Sequence, residues 1–402
     1  MKIDFSPKQR EVWRGTIHQH HRWNISFGAV RSGKTYLDYF KLPYRIRNAG
    51  TDGLILLLGN TKGTLERNIL DPLRGIWTEA LVARIGSNNK VHLFGRECYA
   101  LGADSISQVS KLQGAGLSYC YGDEITTWNE TVFRILQSRI DKPGACFDGT
   151  CNPDNPNHWF RKFLESDADI YSQQFTIDDN PFNDAEFVDN LKREYTGSVF
   201  YDRFILGRWV AAEGLIYPDV ASGMGIVPTD PEREYTQYYV SVDYGTANPC
   251  SMGLWGLCDG VWYRIREYYH SGRETRHQLT DDEYYNELEK LIDGLPVHSI
   301  IVDPSAASFI TLIRRRNRYF VRQADNAVLD GIRVVSSAIH AGRLKIQDCC
   351  KAAIAEFGAY RWDEKATEDK PIKDADHCMD DIRYFAKTIL GGKGGQFVSV
   401  NF

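Results

Sequence analysis

The residues best suited to chemistry by type and spacing are Gly28-Ala29-Val30-Arg31-Ser32-Gly33-Lys34-Thr35. They satisfy G-x-x-x-x-G-K-[ST], the phosphate-cradling loop, at every fixed position. Glycines let a backbone wrap a phosphate, successive N–H groups point inward, and a following helix adds the positive end of its dipole. In such a loop Lys34 reaches the β- and γ-phosphates of ATP and the Thr35 hydroxyl ligates Mg²⁺. A second set closes the apolar run Leu117–Gly122: Asp123, to hold the Mg²⁺ shell, and Glu124, to orient and deprotonate the attacking water. Gly122 departs from the usual pattern, which has an apolar residue there. Thr150 and Asn152, at the end of the run Cys146–Cys151, stand where they could sense the γ-phosphate. Arg31, Arg134 and Arg139 are candidates to stabilise charge on the transferred phosphoryl group, with Arg31 favoured because it lies inside the loop. Gln9 either pairs with an adenine edge or is a solvated helix residue.

A distant set of acids suits different chemistry. Asp243 and Asp303 each end a strand-like run, and Asp380 lies on a late helical stretch. Two strand-end carboxylates and one helix carboxylate are what a two-metal nuclease uses to hold Mg²⁺ or Mn²⁺ ions ~3.5–4 Å apart. His377 is a ligand, a proton shuttle or a phosphate contact. Asp376 and Glu267 are further candidate acids. Arg314 to Arg322 concentrates basic residues that either track phosphates or form a solvated helix end.

These side chains need elements to position them. Ile25-Ser26-Phe27 reads as a strand before the loop, and Tyr36–Phe40 as the first turns of a helix after it. Ser6 and Pro7 mark an earlier helix start. Leu54–Leu58, Leu117–Gly122 and Cys146–Cys151 read as strands, and Val91–Phe94 with Glu97–Gly102 as a hairpin. Further on, Tyr238–Asp243 alternates so that Tyr239, Ser241 and Asp243 share a face. Strands at Ser251–Leu257 and Val261–Tyr268 flank the turn Asp259-Gly260. A helix over about Leu279–Ile292 and a strand His298–Asp303 follow. Three meandering strands, a helix and a parallel strand predict a ribonuclease H-like fold. In the late helix, Met379, Ile382, Phe385, Ala386 and Ile389 are expected to be buried, with Asp376, Asp380, Arg383 and Lys387 on the opposite face. Asp381 is expected either to add charge near the metals or to face solvent.

The 402 residues suit two domains better than one. The expected division is an ATPase domain over 1–210, a linker over 211–232, a nuclease domain over 233–390 and a flexible tail over 391–402. No apolar run approaches a membrane span, and the N-terminus reads as no signal peptide. Nine cysteines without metal spacing suit reduced thiols in a cytosol. The formal charge of −5 argues neither for nor against nucleic acid.

Gly28–Thr35, Tyr121-Gly122-Asp123-Glu124, Thr150-Cys151-Asn152-Pro153, Asp179-Asn180-Pro181-Phe182 and Leu206-Gly207-Arg208-Trp209 together resemble the large terminase subunit of tailed bacteriophages. Asp243 with Gly245, Asp303, and His377, Asp380, Arg383 and Tyr384 match that family's nuclease motifs; Asp381 departs, standing where the family often has Ala. The resemblance implies a P-loop NTPase domain of RecA/ASCE type followed by a ribonuclease H-like nuclease. It implies an ATP-driven motor that packages double-stranded DNA through a portal protein into a procapsid and cuts concatemeric DNA. It also implies ATP and Mg²⁺ as cofactors, a small terminase subunit as partner, a homo-oligomeric ring, commonly a pentamer, and action in the host bacterial cytoplasm, transiently on the portal. Three rivals make distinct predictions. A helicase or transposition ATPase lacks nuclease chemistry, a nucleotide-gated assembly protein binds ATP without turnover, and a ribonuclease H-like recombinase transfers strands.

Overall fold

The computed structural model describes residues 4–109, 114–245, 248–275, 277–366 and 368–391. The expected tail, beyond Gly391, lies outside them. The chain divides into two compact units: residues up to Val188 with Tyr201–Ala211, and Asp189–Phe200 with everything from Ala212 onward.

The first unit is built on a seven-stranded sheet. Its strands are β1 (Trp23–Gly28), β2 (Leu54–Gly59), β3 (Lys90–Leu93), β4 (Arg96–Gly102), β5 (Leu117–Gly122), β6 (Cys146–Cys151) and β7 (Ile170–Phe175), in the order β3-β4-β2-β5-β6-β1-β7. Among the described residues the β3–β4 hairpin is the one antiparallel strand pair of this sheet. Every residue of β1 and β5 is buried, as expected for parallel strands covered on both faces. Alternation separates the two faces. Leu56, Leu58, Ile25 and Phe147 enter one core cluster, while Ile55, Leu57, Tyr119 and Tyr121 enter another with Leu42 and Ile46 of the helix that follows the loop. That helix is α2 (Lys34–Asn48). Ahead of β1, α1 (Pro7–His18) begins with Ser6 as N-cap, Pro7 at its first position and a capping box completed by Gln9. The insertion of β6 between the loop strand β1 and the acid-bearing strand β5 is the ASCE arrangement that the family resemblance implies. A short helix, α3 (Glu130–Gln137), follows β5.

The second unit holds another seven-stranded sheet: β8 (Ile226–Val227), β9 (Gln237–Asp243), β10 (Cys250–Cys258), β11 (Val261–His270), β12 (Val297–Val302), β13 (Val321–Gln323) and β14 (Leu344–Gln347), in the order β13-β12-β9-β10-β11-β14-β8. β9, β10 and β11 form an antiparallel meander, and β12 and β13 continue it in parallel, which is the ribonuclease H-like topology. Asp259 and Gly260 both have positive φ at the hairpin turn. A bulge at Leu254/Trp255 shifts the register and turns Arg264 and Glu267 to the same side, Nε to Oε2 3.6 Å.

One face of this sheet is covered by α4 (Asp281–Ile292) and α5 (Ala307–Arg316), whose apolar residues join Val240, Val242 and Val302 in the core. Against the other face lies α8 (His377–Ile389), preceded by α6 (Val328–His340) and α7 (Lys351–Phe357). Phe385 of α8 stacks on Trp255, ring centroids 4.0 Å apart. The segment expected as a linker is built into this unit instead. Ile216, Tyr217 and Val220 are buried, the Ile216 amide donates to the Tyr360 carbonyl at 2.9 Å, and Ile226–Val227 is the outer strand. Its apolar residues have sheet and helix surface to cover, so it does not run free.

Candidate functional site

The phosphate loop leaves β1 at Gly28, whose φ of +141° and contact with the Phe175 backbone leave no room for a Cβ. The Ala29 amide donates to the Phe175 carbonyl at 2.8 Å and the Val30 amide to the Phe204 carbonyl at 3.0 Å. Gly33, with φ +86°, caps α2, so Lys34 and Thr35 open the helix and present its first amides to the loop. Ser32 Oγ donates to the Ala29 carbonyl at 2.8 Å. Lys34 is folded back into the loop. Its ammonium donates to the carbonyls of Gly28 (3.0 Å) and Ala29 (2.5 Å), to Ser32 Oγ (3.3 Å) and to Asn152 Oδ1 (3.2 Å). Burial lowers its pKa to about 8, against the pull of Cys151, Asp123, Asp38 and Glu124. The surrounding protein therefore leaves part of this charge uncompensated, as suits a site for an anion.

Asp123 stands at the C-terminal end of β5, nearly buried. It accepts from Thr150 Oγ1 at 2.9 Å, and burial, then the neighbouring Glu124, pushes it up to about 7. Glu124 adopts the left-handed region, φ 51°, and burial raises its carboxyl while Arg67 and Lys34 oppose. A Mg²⁺ ion fits here, since buried Asp123 and half-buried Glu124 are adjacent acids that gain from a shared counter-charge. Gly122, the departure from the usual pattern, has a packing cause: a Cβ there would lie 2.5 Å from Trp128 and 2.7 Å from Phe147.

Thr150 lies near the end of β6 and Asn152 just past it; the Thr150 side chain meets Asp123 and the Asn152 side chain meets Lys34. The Arg31 carbonyl accepts from Asn180 Nδ2 (2.8 Å) and Asn183 Nδ2 (3.0 Å), which ties the Asp179–Phe182 segment to the loop.

Three sequence expectations change. Gln9 is neither solvated nor open to an adenine edge. It is buried, its Nε2 donates to the Gly33 carbonyl at 2.8 Å and its Oε1 accepts from the Ser6 amide at 2.8 Å, so it braces the loop. Arg139 lies at the wrong end of the sheet. Its carbonyl accepts from the amide of Leu117, the first residue of β5, whereas Asp123 follows the last, roughly 16–20 Å along the strand. Arg134 is an exposed partner of Glu130, 2.7 Å away on α3.

A buried charge cluster behind the loop was not anticipated. Asp148 on β6 accepts from Arg45 Nε (2.8 Å) and Tyr119 (3.0 Å) and pairs with Lys41 (3.2 Å), which also pairs with Asp38 (3.2 Å). Tyr121 donates to Asp38 at 3.2 Å. Burial opposes ionisation of Asp148, but Lys41 and Arg45 outweigh it and hold its carboxyl below the usual range. The only signal in the sequence is the i, i+3, i+7 spacing of Asp38, Lys41 and Arg45, which also fits a solvated helix side.

In the second unit, Val242 pairs with Val302, so Asp243 and Asp303 end neighbouring strands. Each acid is turned to a partner. Asp243 Oδ2 meets His377 Nδ1 at 2.8 Å, Asp303 accepts from the Ser305 amide (2.6 Å) and Tyr384 (2.8 Å), and Asp380 pairs closely with Arg383. Lys373 lies 3.2 Å from Asp376 and 3.5 Å from Asp380. Burial, resisted by His377 and reinforced by Asp380, pushes Asp243 up to about 6. Asp303 is held below the usual range: burial opposes, but its bonds to Ser305 and Tyr384 prevail.

Among the described residues no three His, Cys, Asp or Glu side chains converge to hold one metal, so the expected metal cluster is not assembled as such. Each acid has an internal cation or hydroxyl beside it, as acids gathered in a buried site require. The donor set nonetheless suits a divalent ion, which would supply the charge that His377, Arg383 and Lys373 now provide.

Glu267 is no fourth metal acid. Its carboxylate accepts from the amides of Ala352 (2.7 Å) and Ala353 (3.2 Å) and caps α7. Sequence reading missed Glu356, which caps α8 in the same way through Cys378 (2.7 Å) and Met379 (3.3 Å), and which burial pushes up to about 7. Nor is α8 one-faced. Cys378 to Ala386 are all buried, since α6 closes over Arg383 at Gly331, where a Cβ would lie 3.1 Å from the Arg383 Cβ. Asp381 faces neither metals nor solvent. It pairs with Arg264, Nη2 to Oδ2 3.0 Å, and accepts from Ser241 at 2.9 Å and closely from Ser251.

No described helix is long and apolar enough to cross a membrane. Residues 25–221 match the family described as terminase large subunit, T4likevirus-type, N-terminal. The large terminase of a thermophilic bacteriophage, solved in complex with ADP, is 37% identical, with a TM-score of 0.86 over 97% of this chain and 100% of that one. The same phage's enzyme in complex with ATP-gamma-S is 36% identical, TM-score 0.85, over 96% and 100%. Among curated proteins the chain finds no match.

Proposed function

This chain belongs to the phage large terminase family, and from that membership we propose that it is an ATP-hydrolysing motor for packaging double-stranded DNA, with a metal-dependent endonuclease in its second unit. The observation that best supports the motor is the pair of contacts at the end of β6 and the residue just past it: Thr150 to Asp123 and Asn152 to Lys34. One strand end touches both the phosphate-binding side and the water-activating side of a nucleotide site.

In this reading the loop amides and Lys34 hold the β- and γ-phosphates, and Arg31 is the cation inside the loop that meets phosphate charge. Thr35 and Asp123 would hold Mg²⁺, which neutralises phosphate charge. Glu124 orients a water molecule and takes its proton as the oxygen bonds to the γ-phosphorus. The bond from that phosphorus to the bridging oxygen breaks, and ADP leaves with that oxygen. Burial makes Glu124 a better base than an exposed carboxylate. Gln9 fixes the loop, and Thr150 and Asn152 pass its state to the rest of the unit.

In the second unit Asp243, Asp303 and Asp380, with His377, would hold Mg²⁺ or Mn²⁺, which lowers the pKa of a water molecule and neutralises the leaving oxygen. His377, held by Asp243, keeps a proton near the acids, and Tyr384 fixes Asp303. The substrate of this unit is concatemeric DNA, cut to start and finish packaging. The further partners are the portal of a procapsid, a small terminase subunit and other copies of this chain in a ring, in the host cytoplasm.

The two sites are separable by experiment. Lys34→Ala should abolish ATP turnover and leave Mn²⁺-dependent nicking of plasmid; retained turnover refutes the loop assignment. Asp303→Ala and Asp380→Ala should each abolish nicking and preserve ATP hydrolysis. Nicking by both variants, or nicking of plasmid in excess chelator, refutes the metal-site assignment.

A further inference from the structure

The arginine run between α5 and β13 has no part in either site. Residues 314–322 include Arg314, Arg315, Arg316, Arg318 and Arg322 and no acid. Val321 is their only buried member and Tyr319 is half-buried; the arginines are all exposed, and Phe320 is 67% exposed.

Acids of α4 neutralise part of this charge. Arg316 pairs with Asp282 at 2.7 Å and Arg318 with Glu289 at 2.5 Å. Arg314, Arg315 and Arg322 have no ion-pair partner among the described residues. Their charge is not a by-product of a basic chain, whose formal net charge is −5.

The run also occupies a defined place. β13 is the outermost strand on its side of the sheet and only three residues long. Arg322 pairs in register with Ile301, and Gln323 with Val302, so Arg322 lies beside the strand that ends at Asp303, about 7 Å along it from that acid. Arg314 and Arg315 lie at the far end of α5, which starts just after Asp303 and rises about 1.5 Å per residue away from it. The exposed cations thus lie on two neighbouring elements, Arg322 on the edge strand close to Asp303 and Arg314 and Arg315 at the far end of the helix that precedes it.

We infer that this edge, Arg314, Arg315 and Arg322, binds the phosphate backbone of duplex DNA and holds it beside the acids that cut it. The inference rests on the proposed DNA-packaging function. A duplex carries one negative charge per ~1.7 Å of its axis, so each exposed guanidinium without an internal partner has phosphates within reach on a duplex laid against it. Guanidinium forks bind phosphate oxygens in pairs, and contacts of this kind position a duplex without reading its sequence.

The test is the salt dependence of duplex binding by the full chain, measured by anisotropy of a fluorescein-labelled 30-base-pair duplex with chelator present. Arg314→Ala/Arg315→Ala/Arg322→Ala should flatten the slope of log K against log salt by about 2.7, close to 0.9 for each phosphate no longer neutralised. Its DNA-free ATP turnover and unfolding midpoint should not change, and the corresponding triple Lys variant should keep the wild-type slope. A triple Ala variant with the wild-type slope overturns the inference. So does a variant that keeps the slope and loses portal binding, which would make the edge a protein-docking surface. Wild-type protein that binds no duplex at low salt overturns the DNA-packaging reading itself.

Discussion

Arg264 and Asp381 form an ion pair that no solvent reaches, fastened to the sheet by Ser241 and Ser251. Ser241 lies two residues before Asp243, and Ser251 pairs with Asp243 across the strands. The pair therefore fixes the rotation of α8 relative to the strand carrying a candidate metal acid, and leaves Asp380, the preceding residue, turned toward Arg383. Breaking one partner should destabilise the second unit by about 3–5 kcal/mol, because the other charge is left buried and unpaired. Asp381→Ala and Arg264→Met should each lower the denaturant midpoint. The double variant should recover most of the loss. A double variant as unstable as the sum of the two singles would contradict this account.

Thr150→Val should separate nucleotide binding from turnover. It removes one hydroxyl from Asp123 and leaves the loop and Lys34 untouched. Loss of that bond to a buried acceptor costs about 1–3 kcal/mol, so ATP turnover should fall about tenfold to hundredfold, while ADP affinity measured by calorimetry changes little. Equal losses in both would place Thr150 in binding alone.

Lys34 should make nucleotide binding pH-dependent. Its pKa in the empty site is lowered to about 8, and bound phosphate stabilises the charged form. Binding then takes up a proton between about pH 8 and the ordinary lysine value of ~10.4. Affinity should fall through that window by up to about tenfold per pH unit. Stability of the empty protein moves the other way: the unfolded chain binds more protons there, so this group's contribution rises with pH. Calorimetry of ADP in two buffers of different ionisation enthalpy should show the proton uptake at pH 9 and none at pH 7.

Glu356 links stability to pH with the opposite sign. Burial raises it to about 7 while the amides of Cys378 and Met379 oppose, so the native state holds a proton that the unfolded chain has lost between about pH 4.3 and 7. Its contribution should fall as pH rises through that window and stay flat above it. Glu356→Gln should remove this slope and keep an acceptor for the α8 amides. Glu356→Ala should cost about 1 kcal/mol for the lost cap, read as a lower unfolding midpoint at pH 8 than that of the Gln variant.

Gly122→Ala tests the packing reason for the departure before Asp123. With a Cβ 2.5 Å from Trp128 and 2.7 Å from Phe147, the ring of Trp128, whose Nε1 donates to the Asp123 carbonyl, must shift. Overpacking of this kind costs about 1–3 kcal/mol, and ATP turnover should fall with it. Normal stability and turnover would show that the rings yield freely.

Most of the strands and the P-loop were legible because their signals are local: a fixed spacing of glycines around Lys34, an apolar run ending in Asp123-Glu124, a two-residue turn at Asp259-Gly260. The strand-end acids Asp243 and Asp303 could be read as neighbours, since strand pairing follows from topology. What stayed hidden depends on partners distant in sequence. Glu267 looks like a metal acid until α7 brings its amides. Asp381 looks solvent-facing until a bulge in β10–β11 turns Arg264 toward it. The Asp148 cluster joins a strand and a helix about a hundred residues apart, and the helical spacing of Asp38, Lys41 and Arg45 gives no hint of that strand partner. Arg139 was misplaced because residue type alone carries no information on the direction of the strand that an arginine adjoins.

The folded-back Lys34 has a consequence for the end of the cycle. A motor stroke repeats only as fast as spent nucleotide leaves, and departure is slow when it strands a buried cation. Here carbonyls and an amide oxygen of its own chain take up part of that charge, although burial still lowers its pKa. Product that leaves such a loop does not strand a bare charge, because the backbone that cradles phosphate also holds the cation in part.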